Sequence, residues 1–272
     1  MGLFEIIDDI AEKQTNKTDT GDNLVLGVVV GTVAQNYDNT MPGRLCVSLP
    51  SRDTGNQLRW ARLAMPYAGS KWGIYFMPEV GDQVLVAFEQ GNIERPYVIG
   101  AVSKASDKFL SQSSDEKNIY KRIVTHNGNA IEFEDNEGDG ENDKITIKTA
   151  GKSMGTEHSI TLDNKKHLIT ITDPEGTNKI TMNTTNGQME VLAATKLTVK
   201  VGDQIELIMN GSSGVTELKT KDFRVSAMNN IKQEAMKTFS VSGATTKLEG
   251  TAKVALSSNG PATVEGKPIK IG

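Results

Sequence analysis

Cysteine is nearly absent from this 272-residue chain, where Cys46 stands alone. One cysteine cannot build a disulfide framework or a thiolate metal site within one chain. Cys46 sits in a strand-like run and reads as a small buried hydrophobe. Histidine is almost as scarce: His126, His158 and His167 stand at neither His-x-His nor His-x3-His spacing. No resident metal and no cofactor are expected. Aromatic residues make up only 5% of the chain. No apolar run reaches the 18 or so residues that a membrane helix needs, and no secretory signal is visible, which points to synthesis and first folding in a cytoplasm. The net charge is −4 with 24% charged residues, so nothing demands a nucleic-acid partner. There is no glycine-rich phosphate cradle. Gly151-Lys152-Ser153-Met154-Gly155 has the lettering of a nucleophile elbow, but the next regular element reads as a strand where a helix is required. No catalytic residue is assigned.

What the chain does have is repetition. From Lys144 to Gly272 a short apolar-polar-apolar phrase recurs, as in Ile145-Thr146-Ile147, Ile160-Thr161-Leu162, Ile169-Thr170-Ile171 and Ile180-Thr181-Met182. It continues through Met189-Glu190-Val191, Leu197-Thr198-Val199, Ile205-Glu206-Leu207, Phe223-Arg224-Val225 and Phe239-Ser240-Val241 to Ile269-Lys270-Ile271. Period-two alternation is the signal of a strand with one face buried. Phrases starting at 189, 197 and 205, and again at 223, 231 and 239, keep a step of eight residues. Such tiny strands cannot wall off a core alone, and repeats of this kind hold only when stacking buries a continuous seam. The expected fold is therefore all-β, with 144–272 forming an intertwined, trimeric β-helix. The alternative is an ordinary β-meander with one solvated face, which would not keep so regular a step.

Residues 1–23 read as a short helix with an apolar stripe of Leu3, Phe4, Ile6, Ile7 and Ile10, followed by a polar linker. So short a helix is marginal in water and must dock, either on its own next domain or in a partner subunit. Residues 24–102 read as a β domain of five strands: a long buried one from Leu24 to Val33, then Arg44 to Leu49, Gln57 to Met65, Val84 to Phe88 and Pro96 to Gly100. Five short strands with polar turns suit a closed OB-type barrel. Trp72 and Tyr75 suit either the core or a cap that faces a neighbouring subunit. Residues 103–143 read as a connector closing in a hairpin. Its acidic run from Glu132 to Asp143 approaches the opening of a calcium loop, but Thr146 stands where the closing glutamate belongs, so a solvated hairpin is expected. Met209 to Gly214 reads as a loop that interrupts the repeats.

The stretch from Ala64-Met65-Pro66-Tyr67-Ala68-Gly69-Ser70-Lys71-Trp72-Gly73 through Pro78-Glu79-Val80-Gly81-Asp82 to Phe88 resembles the OB domain of contractile-injection spikes. These are the phage baseplate assembly protein V and the VgrG spike of type VI secretion. The likeness continues through Gly91-Asn92-Ile93-Glu94-Arg95-Pro96, and Val241-Ser242-Gly243 and Val264-Glu265-Gly266 match the Val-x-Gly phrase of phage spikes. The resemblance implies a homotrimer, a PAAR-type tip protein at the C-terminal end and a baseplate hub at the N-terminal end, in a particle assembled in a bacterial cytoplasm. The target membrane is touched only in passing. Pro268, Ile269, Ile271 and Gly272 would form the tip interface, and Phe4, Ile7, Trp72 and Tyr75 the hub interface. With only 23 residues before the barrel and no room for a lysozyme insertion, the hub is expected to be another chain. Two other readings compete: a tail-associated β-helix enzyme that degrades polysaccharide, which needs clustered carboxylates in a cleft, and an OB-fold carrier of nucleic acid, which needs a basic patch.

Overall fold

The computed structural model describes residues 24–50, 56–138, 140–152 and 155–270. Five strands, β1 (Val28–Gln35), β2 (Arg44–Leu49), β3 (Gln57–Leu63), β4 (Gln83–Phe88) and β5 (Pro96–Val102), close into a barrel in the order β1-β2-β3-β5-β4. All pairs are antiparallel except β3 with β5. Alternation places Leu45, Val47 and Leu49 of β2 inside, against Val33, Ala61, Val84, Val86 and Val98. Each large side chain buried this way stabilises the barrel by about 1.5–3 kcal/mol. The apolar run from residue 24 is not one long buried strand. The strand begins at Val28, and Leu26, Val28 and Val30 are exposed. A barrel strand buries one face only, so alternate members of an unbroken apolar run must point outward.

The connector holds more structure than its composition suggests. It contains a short helix, α1 (Lys108–Ser113), and two strands, β6 (Tyr120–Val124) and β7 (Ala130–Glu134). With β8 (Lys144–Lys148), β9 (Ser159–Asp163), β10 (Leu168–Thr172), β11 (Lys179–Asn183) and β12 (Gln188–Leu192) they form a seven-stranded antiparallel sheet in strict chain order. Over 120–192 the strands therefore pair within the chain as successive hairpins, which is the meander alternative. The irregular spacing of the early phrases is the varying length of the turns. Asp173 and Asn183 hold two of those turns by accepting backbone N–H groups on their side-chain oxygens, and Gly187 supplies the left-handed residue of the second, at φ +67°.

Strands β13 (Lys196–Val201), β14 (Ile205–Asn210) and β15 (Val215–Lys219) form a further sheet in the order β13-β14-β15. Met209 to Gly214, read from sequence as an interrupting loop, is the end of β14 and its hairpin turn, where Ser213 N–H donates to Asn210 Oδ1 at 3.1 Å. After Lys219 the described residues contain no strand, and every residue from 221 to 270 is exposed. The side chains of Met228 and Met236 are as open as in an extended chain, at 104% and 106%. The apolar phrases persist here, and among the described residues none of them pairs with a strand.

Candidate interaction surfaces

The hairpins of the seven-stranded sheet are in register, and that places two apolar rows across one face. One row runs Ile123, Ile131, Ile147, Ile160, Ile171, Ile180 and Val191, each directly opposite the next. The second runs Phe133, Ile145, Leu162, Ile169, Met182 and Met189. The opposite face carries Arg122, Glu132, Thr146, Thr161, Thr170, Thr181 and Glu190 at the same register. Burial is inverted with respect to polarity. Glu132 is 7% exposed, whereas Ile131 is 37% and Val191 53% exposed. The apolar face forms an open trough of about 1180 Å³, with Phe76 also in its lining.

Glu132 is held by two cations, Arg122 at 3.0 Å and Lys148. Glu134 pairs with Lys144 on the next strand. The front of the acidic run is thus a paired and partly buried ladder, not a solvated hairpin. Its later members do lie in an exposed turn, where Glu137 meets Lys117 at 2.8 Å. That hydrogen bond and the ammonium charge hold the Glu137 carboxyl below the ordinary range and push the Lys117 ammonium up. Among the described residues no group of three or more His, Cys, Asp or Glu is placed to hold a metal ion. Burial pushes the Cys46 thiol up. No helix among the described residues is long and apolar enough to cross a membrane.

Between β3 and β4 a hairpin displays aromatic side chains. Gly69 N–H donates to the Trp72 carbonyl at 2.8 Å, and Ile74 N–H to the Tyr67 carbonyl at 2.9 Å. The Trp72 indole lies over Gly69, where a Cβ would come within 2.3 Å of the indole nitrogen. Trp72 is nevertheless 56% exposed and Tyr75 62% exposed. Both sit outside the barrel core, and the Trp72 ring covers a glycine of its own hairpin and not the barrel interior. Met77 is the side chain from this segment that packs against the core. Of the expected interface residues, Phe4, Ile7, Ile271 and Gly272 lie outside the described residues, while Pro268 and Ile269 are exposed. Sequence reading missed the two apolar rows as a surface. Their members were legible as strand residues, but the register that aligns them is set by turn lengths.

Residues 29–102 match the type VI secretion system/phage-baseplate injector OB domain. The chain is similar to the type VI secretion system spike protein VgrG3 of Vibrio cholerae, 30% identical over 125 residues, which takes in 43% of this chain and 12% of that protein. It is similar to the spike protein VgrG1c of Pseudomonas aeruginosa, 28% identical over 122 residues, 41% of this chain and 17% of that protein. It is also similar to the actin cross-linking toxin VgrG1 of Vibrio cholerae, 27% identical over 126 residues, 43% of this chain and 11% of that protein. The chain thus aligns with less than a fifth of the length of each of these relatives. The described residues build a nearly all-β chain, whose segment 29–102 matches the injector OB domain and holds the closed barrel. Over about two fifths of its length the chain is similar to VgrG spike proteins.

Proposed function

We propose that the protein acts as the homotrimeric central spike of a contractile injection machine, mechanically and not as an enzyme. The observation that carries this reading is the uncovered apolar surface of the single chain. Eleven of the thirteen apolar side chains in the two rows are exposed. A one-layer sheet with thirteen apolar side chains on its open face needs a second layer. The phrases from 221 to 270 need strand partners, and each copy carries the same eight-residue step. Three copies satisfy both needs: neighbouring sheets cover one another's apolar rows, and the phrases from 221 to 270 of three chains wind into a β-helix. Interchain hydrogen bonds then occupy the free strand edges of the shaft. The result is a stiff rod able to transmit a thrust.

In this reading Phe4, Ile7, Trp72 and Tyr75 meet a hub protein. Pro268, Ile269, Ile271 and Gly272 meet a PAAR-type tip protein. The particle is a baseplate assembled in a bacterial cytoplasm, and the target envelope is crossed when a sheath contracts. Light scattering on the purified protein tests the proposal. Three chains of 29.4 kDa give about 88 kDa; a stable monomer would overturn it.

A further inference from the structure

A groove on the outer wall of the barrel takes no part in the shaft. We infer that it docks an acidic segment of a partner protein, by clasping one carboxylate between Arg44 and Arg62.

The register of β2 against β3 sets Arg44 directly opposite Arg62. Like charges facing each other across an antiparallel pair destabilise the ladder. Nearby cations are neutralised: Arg59 meets Glu94 at 2.9 Å, and Arg95 meets Glu89 at 3.5 Å. Among the described residues no carboxylate stands within ion-pair distance of Arg44 or Arg62. The Arg62 guanidinium is held in place by Tyr97. Its carbon lies 5.9 Å from the ring centre, and Nη1 donates to the phenol oxygen at 3.5 Å. Tyr97 in turn donates to Glu89 Oε2 at 3.2 Å, so the chain from Arg62 to Glu89 is built before any ligand arrives. The groove is about 410 Å³, with Trp60 and Pro96 also in its lining, a volume typical of a binding cleft.

Two guanidinium groups that line one groove can each donate to an oxygen of one carboxylate, a group that arginine recognises well. Glu89 and Glu94, both at the groove, oppose a run of phosphates. A single acidic side chain carried on an extended segment fits; a nucleic-acid strand does not. Sequence composition concealed this site, because Arg44 and Arg62 are separated along the chain and meet only through the β2–β3 register. The inference stands apart from the trimer, since it uses neither the apolar rows nor residues 221–270.

Fluorescence anisotropy on the full chain tests it, with a labelled Gly-Ser-Gly-Glu-Gly-Ser-Gly peptide, amidated at its C-terminus, and a labelled dT12 strand as probes at low ionic strength. The expected result is salt-sensitive binding of the peptide and weaker or no binding of dT12. Arg44→Gln with Arg62→Gln should reduce peptide affinity at least tenfold. Lys152→Gln with Lys165→Gln, the same charge change elsewhere, should leave it within twofold. Arg44→Lys with Arg62→Lys keeps the charge, loses the planar fork and should lower affinity several-fold, which covers the case of a glutamine variant that fails to fold. No peptide binding, equal losses in both glutamine pairs, or tighter binding of dT12 would each overturn the inference. A trimeric mass in the same sample separates any such failure from failure of the spike reading.

Discussion

Ile131 and Glu132 are neighbours on β7, and the charged residue is the buried one: Glu132 is 7% exposed and Ile131 37%. Glu132 is covered because Arg122 and Lys148 fold over it from the strands on either side. Ile131 is open because no second layer covers its face among the described residues. An apolar row on the open side of a sheet is a surface waiting for a partner.

Charge placed on that row should break the assembly. Ile147→Asp or Ile160→Lys puts a charge in the middle of the first row, where covering it without a partner is costly. The scattering mass is expected to fall from three chains toward one. Thr161→Lys, on the opposite face, should leave the mass unchanged.

Removing the buried carboxylate should destabilise the sheet without changing the apolar face. Glu132→Ala leaves Arg122 and Lys148 without their shared partner, and breaking such a pair costs about 2–3 kcal/mol when the partners keep some solvent. Urea denaturation followed by circular dichroism would show a lower midpoint with the same slope. An unchanged midpoint would mean that the ion triad contributes nothing to stability.

The exposed turn pair sets a shallow dependence on pH. The folded pKa of Glu137 is lowered, first by its hydrogen bond from Lys117 and then by the ammonium charge. Its contribution is complete above the ordinary glutamate value of 4.5 and is lost as pH falls through the lower folded value. Lys117 has a raised folded pKa, chiefly through the same hydrogen bond, so its contribution is complete below the ordinary 10.5 and is lost as pH climbs through the folded value. Between these limits the pair itself should add no slope to thermal midpoints measured against pH, and the buried Cys46 thiol, with its raised pKa, should lower them as pH climbs past its ordinary 9.0. In Lys117→Gln the fall at both ends should become smaller, and only slightly, because both groups are fully solvated.

Hydrogen exchange should separate the chain by itself from the chain in its assembly. Residues 221–270 have no strand partner among the described residues, so slow exchange of their amides in the assembly points to hydrogen bonds with other copies. Amides around Phe223, Phe239 and Val254 are expected to exchange slowly in the trimer. Rapid exchange there, in a sample of trimeric mass, would show that these phrases do not form the shaft.

The aromatic hairpin offers a local check. Gly69→Ala would place a methyl 2.3 Å from the Trp72 indole nitrogen, so the ring must swing away. The variant should fold, since Gly69 lies outside the barrel core, and should show altered tryptophan emission and easier quenching by acrylamide.

Strand content was legible because period-two alternation is a local property. Arg44 to Leu49 was read as a strand and is β2 without change, and Ile145-Thr146-Ile147 and its successors as far as Ile205-Glu206-Leu207 all fall on strands. The beginning of the sheet at Tyr120 was not legible, because Tyr120-Lys121-Arg122 is as polar as the connector around it. Its place is set by pairing with β7. The side taken by Trp72 and Tyr75 was equally hidden, since an aromatic ring can cover a core or a turn with the same sequence around it.

By itself the sequence determined that this chain is made of short strands, that one barrel stands at the head of a long repeat, and that the repeats are too thin to enclose a core. Alternation and turn chemistry act over a few residues and can be read from them. Tertiary structure alone decided which strands lie side by side, that Glu132 goes under cover while Ile131 stays open, and that Arg44 confronts Arg62. Those relations depend on register between distant segments, and register is chosen by the closure of turns and barrel together, not by any one stretch of residues.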